Sequence, residues 1–170
     1  MDFKSLIRDV PDFPKNGVVF KDITPLLKNP LALKETVNAL VRMVGGQAID
    51  KVVGMESRGF IFGPLLAAQL NAGFVPIRKP RKLPSKTLSE AYELEYGSDT
   101  LEIHTDGIEK GDRVLVHDDV LATGGTAQAA CKLIERLGGE IVQCNFLIEL
   151  SFLNGRHKIS QHPVQALVEY

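Results

Sequence analysis

Apolar residues in this chain recur in two rhythms, one helical and one strand-like, that alternate along its length. Leu33, Val37, Leu40, Val41 and Val44 have helical spacing. Asn29-Pro30 ahead of them supplies a cap and a proline for the first turn, and Gly45-Gly46 ends the run. Lys51 to Met55 then reads as a short buried strand, Phe60 to Leu70 as a helix with Pro64 near its first turns, and Gly73 to Ile77 as another strand. A basic, proline-punctuated loop follows from Arg78 to Lys86. Two candidate strands around Tyr92 to Tyr96 and Leu101 to His104 come next, joined by Gly97-Ser98-Asp99 as in a hairpin. The alternation resumes with a strand from Arg113 to His117, a polar glycine turn, a helix from Gly125 to Leu137, Gly138-Gly139, and a strand from Ile141 to Ile148.

Strands separated by crossover helices predict an α/β fold, a mostly parallel twisted sheet flanked by helices. The first 28 residues, rich in Pro, Asp and Phe, break the rhythm and predict a small N-terminal hood over residues 1–28, with the core in 29–170. At 170 residues the chain suits one domain around one core. No internal repeat or low-complexity segment is present.

Composition changes this picture mainly by exclusion. A net charge of −1, 44% hydrophobic residues and 24% charged residues describe an average globular protein with no electrostatic claim on nucleic acid. No apolar run approaches the roughly 20 residues of a membrane helix, and Met1-Asp2-Phe3-Lys4-Ser5 lacks the pattern of a secretory signal, so a cytoplasmic protein without membrane partners is expected. Cys131 and Cys144 have neither C-x-x-C nor zinc spacing. Each falls on an apolar stripe, Cys131 with Ala127, Ala130 and Ile134 and Cys144 with Val142, Phe146 and Ile148, and both are expected to be buried thiols.

The chemistry concentrates in Val114-Leu115-Val116-His117-Asp118-Asp119-Val120-Leu121-Ala122-Thr123-Gly124-Gly125-Thr126-Ala127. An apolar strand delivers two acids at its C-terminal end, where ligands sit in open α/β sheets, and a Thr-Gly-Gly-Thr turn then opens a helix. Glycines admit a phosphate to backbone N–H groups, threonines add hydroxyls, and the helix N-terminus adds positive potential. Acids beside such a cradle suit a ribose 5-phosphate, its diol on Asp118 and Asp119 and its phosphate in Ala122, Thr123, Gly124, Gly125 and Thr126. Neither G-x-x-x-x-G-K-[ST] nor G-x-G-x-x-G is present. A capped helix after a strand, with its acids exposed at a turn, would give a similar short string.

The full string resembles the phosphoribosyl pyrophosphate motif of the type I phosphoribosyltransferases, and its L-A-T-G-G-T version is similar to that of members acting on adenine. Further matches follow in order: Pro11-Asp12-Phe13-Pro14, Gly17-Val18-Val19-Phe20-Lys21-Asp22-Ile23, Glu56-Ser57-Arg58-Gly59-Phe60, Ile77-Arg78-Lys79, Lys82-Leu83-Pro84 and Leu94-Glu95-Tyr96-Gly97. The resemblance implies the type I fold with a hood and a flexible catalytic loop at about 79–102. It further implies transfer of a phosphoribosyl group from phosphoribosyl pyrophosphate to adenine, with AMP and diphosphate as products, and a homodimer.

The resemblance assigns the leaving diphosphate to Arg58, Arg78, Lys79 and Lys82, whose charge is of the sign such a group requires. It places the adenine edge at Val19, Phe20 and Lys21, where Val18-Val19-Phe20 otherwise reads as a plain hydrophobic strand in the hood. Glu95 becomes the catalytic acid or base together with Arg58, and Mg²⁺ is held mainly through substrate oxygens rather than by a protein cage. Members of the family often carry Arg where this chain has Lys21, and an apolar residue where it has His117. The latter is expected to be a hydrogen-bonded core residue. A phosphoribosyltransferase for another base and a non-catalytic sensor of phosphoribosyl pyrophosphate are the competing readings.

Overall fold

Strands that are apolar on both faces must be covered on both sides, which favours a parallel sheet sandwiched by helices. The computed structural model, which describes residues 1–93 and 97–170, shows this outcome. It contains two compact units, Met1–Ala39 and Leu40–Tyr170.

In the larger unit, β3 (Lys51–Met55), β4 (Gly73–Ile77), β7 (Arg113–Leu121), β8 (Glu140–Glu149) and β9 (Val164–Glu169) form one parallel sheet in the order β4-β3-β7-β8-β9. Helix α3 (Gly59–Leu70) packs on β3, β4 and β7, and α4 (Gly125–Leu137) packs on β7 and β8. The α3 interface depends on two glycines. A Cβ on Gly54 or Gly63 would reach the Phe74 ring at 2.8 or 2.5 Å, well inside van der Waals contact. Strands β5 (Thr87–Glu93) and β6 (Ser98–His104) make an antiparallel hairpin, which α4 also contacts.

The smaller unit is built around β1 (Arg8–Pro11) and β2 (Val19–Asp22), an antiparallel pair, followed by the one-turn helix α1 (Thr24–Leu27) and the start of α2 (Pro30–Met43). Asp22 organises it. Its carboxylate accepts from the Thr24 backbone and hydroxyl and from Arg8, contacts that hold its pKa down at about 2. Asn29 Oδ1 caps α2 by accepting from the Leu31 and Ala32 backbone N–H groups at 3.0 and 3.1 Å.

Several boundaries differ from the sequence reading, among them the start of β5, at Thr87 rather than near Tyr92. Strand β7 runs to Leu121 rather than stopping at His117, because β8 offers pairing partners as far as Glu149 and the ladder passes straight through both acids. Ser98 and Asp99 belong to β6 rather than to a turn, since they pair with Glu93 and Tyr92. Strand β9 gave no clear sequence signal, because only its Val164 and Val168 are buried. The two cysteines do occupy the core, with Sγ atoms 3.7 Å apart between α4 and β8.

Candidate active site

In a parallel sheet every C-terminal strand end lies on the same edge, and the order β4-β3-β7 puts three of the predicted segments side by side there. The loop after β3 carries Glu56 and Arg58, the loop after β4 carries Arg78 and Lys79, and the last turn of β7 carries Asp118 and Asp119.

The two acids are not exposed at a turn, as a plain capped helix after a strand would have them. Asp119 is 2% exposed and Asp118 is half-buried, because the strand continues beyond them inside the sheet. Arg58 Nε lies 3.0 Å from Asp119 Oδ2, and Asp118 Oδ1 accepts the Asp119 backbone N–H at 2.9 Å. Burial pushes the Asp118 carboxyl well above the usual carboxylate range, and the neighbouring Asp119 charge pushes it further. Burial raises Asp119 as well, with Arg58 offsetting part of the effect.

Beyond Leu121 the chain makes the predicted turn. Ala122, Thr123, Gly124 and Thr126 line a cavity of about 70 Å³ with Asp118, Val120, Leu121, Ala127 and Phe146. Gly124 stands at φ 79°, ψ −2°, a left-handed conformation that favours glycine, and its carbonyl accepts the first helical bond of α4 from Gln128 at 2.9 Å. The N–H groups of Gly125, Thr126 and Ala127 therefore begin the helix without intrahelical acceptors and are available to an anion. Gly155 was not singled out from the sequence, yet it walls this turn: its backbone lies against Gly124 and Ala122 so closely that a Cβ on either glycine would collide. An Asn-Gly pair such as Asn154-Gly155 is a general turn signal, but only the tertiary fold brings it against Ala122 and Gly124.

Arg78 and Lys79 are held by acids. Arg78 makes two 3.2 Å contacts with Glu56, through Nε and Nη2, and its Nη1 donates to the Lys82 carbonyl at 3.2 Å. The Lys79 backbone N–H donates to Glu56 at 3.0 Å. That bond, ahead of the Arg78 contacts, keeps the Glu56 carboxyl below its ordinary range despite partial burial. The Lys79 ammonium is ion-paired with Asp99 on β6 and lies 3.4 Å from the Tyr92 hydroxyl on β5. Lys82 is exposed. Glu56, Tyr92 and Asp99 were not candidates from sequence, where isolated acids and a tyrosine carry no distinguishing signal.

Val19, Phe20 and Lys21 lie on β2 of the smaller unit. Val19 is 47% exposed, the Phe20 ring meets Phe13 edge to face at 5.2 Å, and Lys21 Nζ pairs with Asp9 at 2.6 Å. Glu95 lies outside the described residues. His117 is fully buried and hydrogen-bonded, as expected of a core residue. Its Nδ1 is 2.8 Å from Asn145 Oδ1, and Asn145 Nδ2 donates to the Leu40 carbonyl at 3.4 Å, so Nδ1 carries the proton. Burial lowers the His117 pKa to about 4, leaving the ring neutral at physiological pH.

A parallel sheet whose strand ends carry paired acids, a glycine-threonine turn that opens a helix and several cations has the make-up of a phosphoribosyl-binding α/β domain. The phosphoribosyl transferase domain family matches residues 23–165. A protein of Flavobacterium johnsoniae named adenine phosphoribosyltransferase is 64% identical over 170 residues, covering all of both chains. The crystal structure of adenine phosphoribosyltransferase from Thermoanaerobacter pseudethanolicus superposes with a TM-score of 0.97 at 49% identity, covering 99% of this chain and 98% of that one. The Saccharomyces cerevisiae enzyme, solved with an imino-altritol bisphosphate and adenine, superposes at 0.93 with 42% identity, covering 98% and 96%. The chain belongs to the phosphoribosyltransferase family and, within it, to the adenine phosphoribosyltransferases.

Proposed function

We infer that this chain transfers the 5-phosphoribosyl group of phosphoribosyl pyrophosphate to N9 of adenine, releasing AMP and diphosphate. The observation that carries this reading is the passage from β7 to α4, where Asp118, next to the buried Asp119, lines a cavity with Ala122, Thr123, Gly124 and Thr126. The 5-phosphate fits that cradle and the acids suit the ribose diol. The bond from the anomeric carbon to the diphosphate oxygen breaks as the bond from N9 forms, and the N9 proton is lost.

Diphosphate gathers negative charge as it leaves, and Arg58, Arg78 and Lys79 on the same sheet edge, with Lys82 close in sequence, are the cations to receive it. Phe20 and Val19 offer an apolar surface to a purine, with Lys21 and backbone groups at its edge. Glu95 is assigned the proton exchange at adenine on its motif alone. Mg²⁺ would neutralise diphosphate and ribose oxygens. It would be held mainly through those substrate oxygens, with Asp118, which lines the cavity, as a hard oxygen donor beside them.

We also propose a cytoplasmic homodimer. The adjacent Phe152 and Leu153, 72% and 37% exposed, are apolar surface that a second copy would cover. Among the described residues no helix is long and apolar enough to cross a membrane.

The test is diphosphate release from phosphoribosyl pyrophosphate and magnesium with each purine in turn. Adenine is expected to support turnover where hypoxanthine and guanine do not. Equal rates with a 6-oxopurine would overturn the base assignment, and binding of the sugar phosphate without turnover on any base would indicate a sensor.

A further inference from the structure

Three of the four cations assigned to diphosphate already face a carboxylate: Arg58 faces Asp119, Arg78 faces Glu56 and Lys79 faces Asp99. The first two acids stand on the sheet edge that carries the cations. Asp99 differs, because it comes from β6 of the hairpin, next to the segment in which Glu95 falls in sequence.

The hairpin register puts Asp99 directly across from Tyr92, and the two act as one holder for the Lys79 ammonium. Lys79 Nζ reaches both Asp99 Oδ2 and the Tyr92 hydroxyl, the Tyr92 hydroxyl donates to Asp99 Oδ2 at 3.3 Å, and the ammonium lies 5.9 Å from the centre of the Tyr92 ring. The other Asp99 oxygen accepts the Thr100 backbone N–H at 2.7 Å, which fixes the carboxylate. The hydrogen bond from Lys79 draws the Asp99 pKa below its ordinary value, so the pair is ionised at neutral pH. For Lys79, an oxygen of Asp99 makes the same charge-assisted contact that a diphosphate oxygen would make.

We propose that Asp99 is a resident competitor for diphosphate at Lys79, a clasp that ties hairpin β5–β6 to the loop after β4 and opens when a diphosphate-bearing ligand takes the lysine. The inference rests on the assignment of Lys79 to diphosphate. The exchange breaks one ion pair and forms another, with no proton moved. Asp99 thereby weakens the hold on substrate and product diphosphate alike, and coupling to the hairpin makes the cost specific to ligands that carry diphosphate. AMP has none, so it gains nothing from releasing Lys79.

The experiment measures magnesium diphosphate and AMP affinity by calorimetry on the full chain, for the parent, Asp99→Asn, Lys79→Ala and the double variant. Asp99→Asn keeps the shape of the side chain and an acceptor for Thr100 N–H. It is expected to tighten diphosphate binding by about two- to fivefold, the scale of a partly exposed ion pair, with AMP affinity unchanged. In the Lys79→Ala background the same substitution is expected to do nothing. Asp99→Ala is expected to move diphosphate affinity in the same direction as Asp99→Asn. If Lys79→Ala weakens diphosphate binding while Asp99→Asn leaves it unchanged or weaker, the clasp is rejected and the Lys79 assignment stands. If Lys79→Ala leaves diphosphate affinity intact, that assignment fails and the clasp falls with it.

Discussion

Arg58 and Asp119 meet at 3.0 Å across the β3–α3 loop and β7, joining a residue of the predicted diphosphate site to one of the predicted ribose site. The carboxylate is nearly all buried while the guanidinium side chain is 36% exposed, so the arginine has an open face to offer a ligand without leaving its partner. Through this contact, substitution of either residue is expected to reach both predicted sites.

Arg58→Ala is expected to weaken diphosphate-bearing ligands by about 10- to 150-fold, the scale of one charge-assisted hydrogen bond. AMP is expected to weaken much less, through the loss of order at Asp119 alone. Titration of both ligands checks this, and equal losses would move Arg58 out of the diphosphate site.

Asp118→Asn is expected to trade function for stability. The folded-state pKa of Asp118 lies above the unfolded value of 3.8, so its favourable contribution is complete below that value and is lost as pH rises through the folded pKa. Above the unfolded value the buried carboxyl is therefore a cost, and its replacement by a neutral amide is expected to raise the melting temperature by roughly 2–4 °C, the equivalent of about 1 kcal/mol in a chain of this size. Sugar-phosphate affinity is expected to fall by about 10- to 150-fold. A variant less stable than the parent at pH 7, with unchanged affinity, would contradict both halves.

His117 predicts an acid limb in the stability curve. Its folded pKa is depressed to about 4 from 6.5, so the unfolded chain takes up the proton first. Stability present above pH 6.5 is lost as pH falls toward 4, at up to about 1.4 kcal/mol per pH unit, or about 3 kcal/mol in all. Denaturant melts across this range check the slope. In His117→Leu the curve is expected to flatten there, whatever the absolute cost of leaving Asn145 without its partner.

Glu95→Gln is expected to slow the chemical step by about 10²- to 10⁴-fold, the usual scale for one general acid or base, with little change in sugar-phosphate affinity. Single-turnover kinetics is the appropriate measurement, since product release can mask a change in chemistry. A parental rate in that assay would reduce Glu95 to a solvated carboxylate.

The sequence by itself determined the alternation of β3, α3, β4, β7, α4 and β8, because each of these elements carries its own periodicity, cap or glycine stop within a few residues. It determined the turn from Thr123 to Thr126 for the same reason, since a glycine there permits the left-handed backbone that opens α4. Asn29 as a cap, the buried cysteines and the hydrogen-bonded His117 were legible on similar local grounds. Only the tertiary structure decided the pairings between segments far apart in the chain. Asp119 is buried because β8 extends the ladder past it, Glu56 binds Arg78 because β3 and β4 are neighbours, and Gly155 walls the phosphate turn from 31 residues away. The placement of Asp99 against Lys79 is of this kind, since a lone acid in a charged stretch acquires a partner only when the hairpin register turns it toward one.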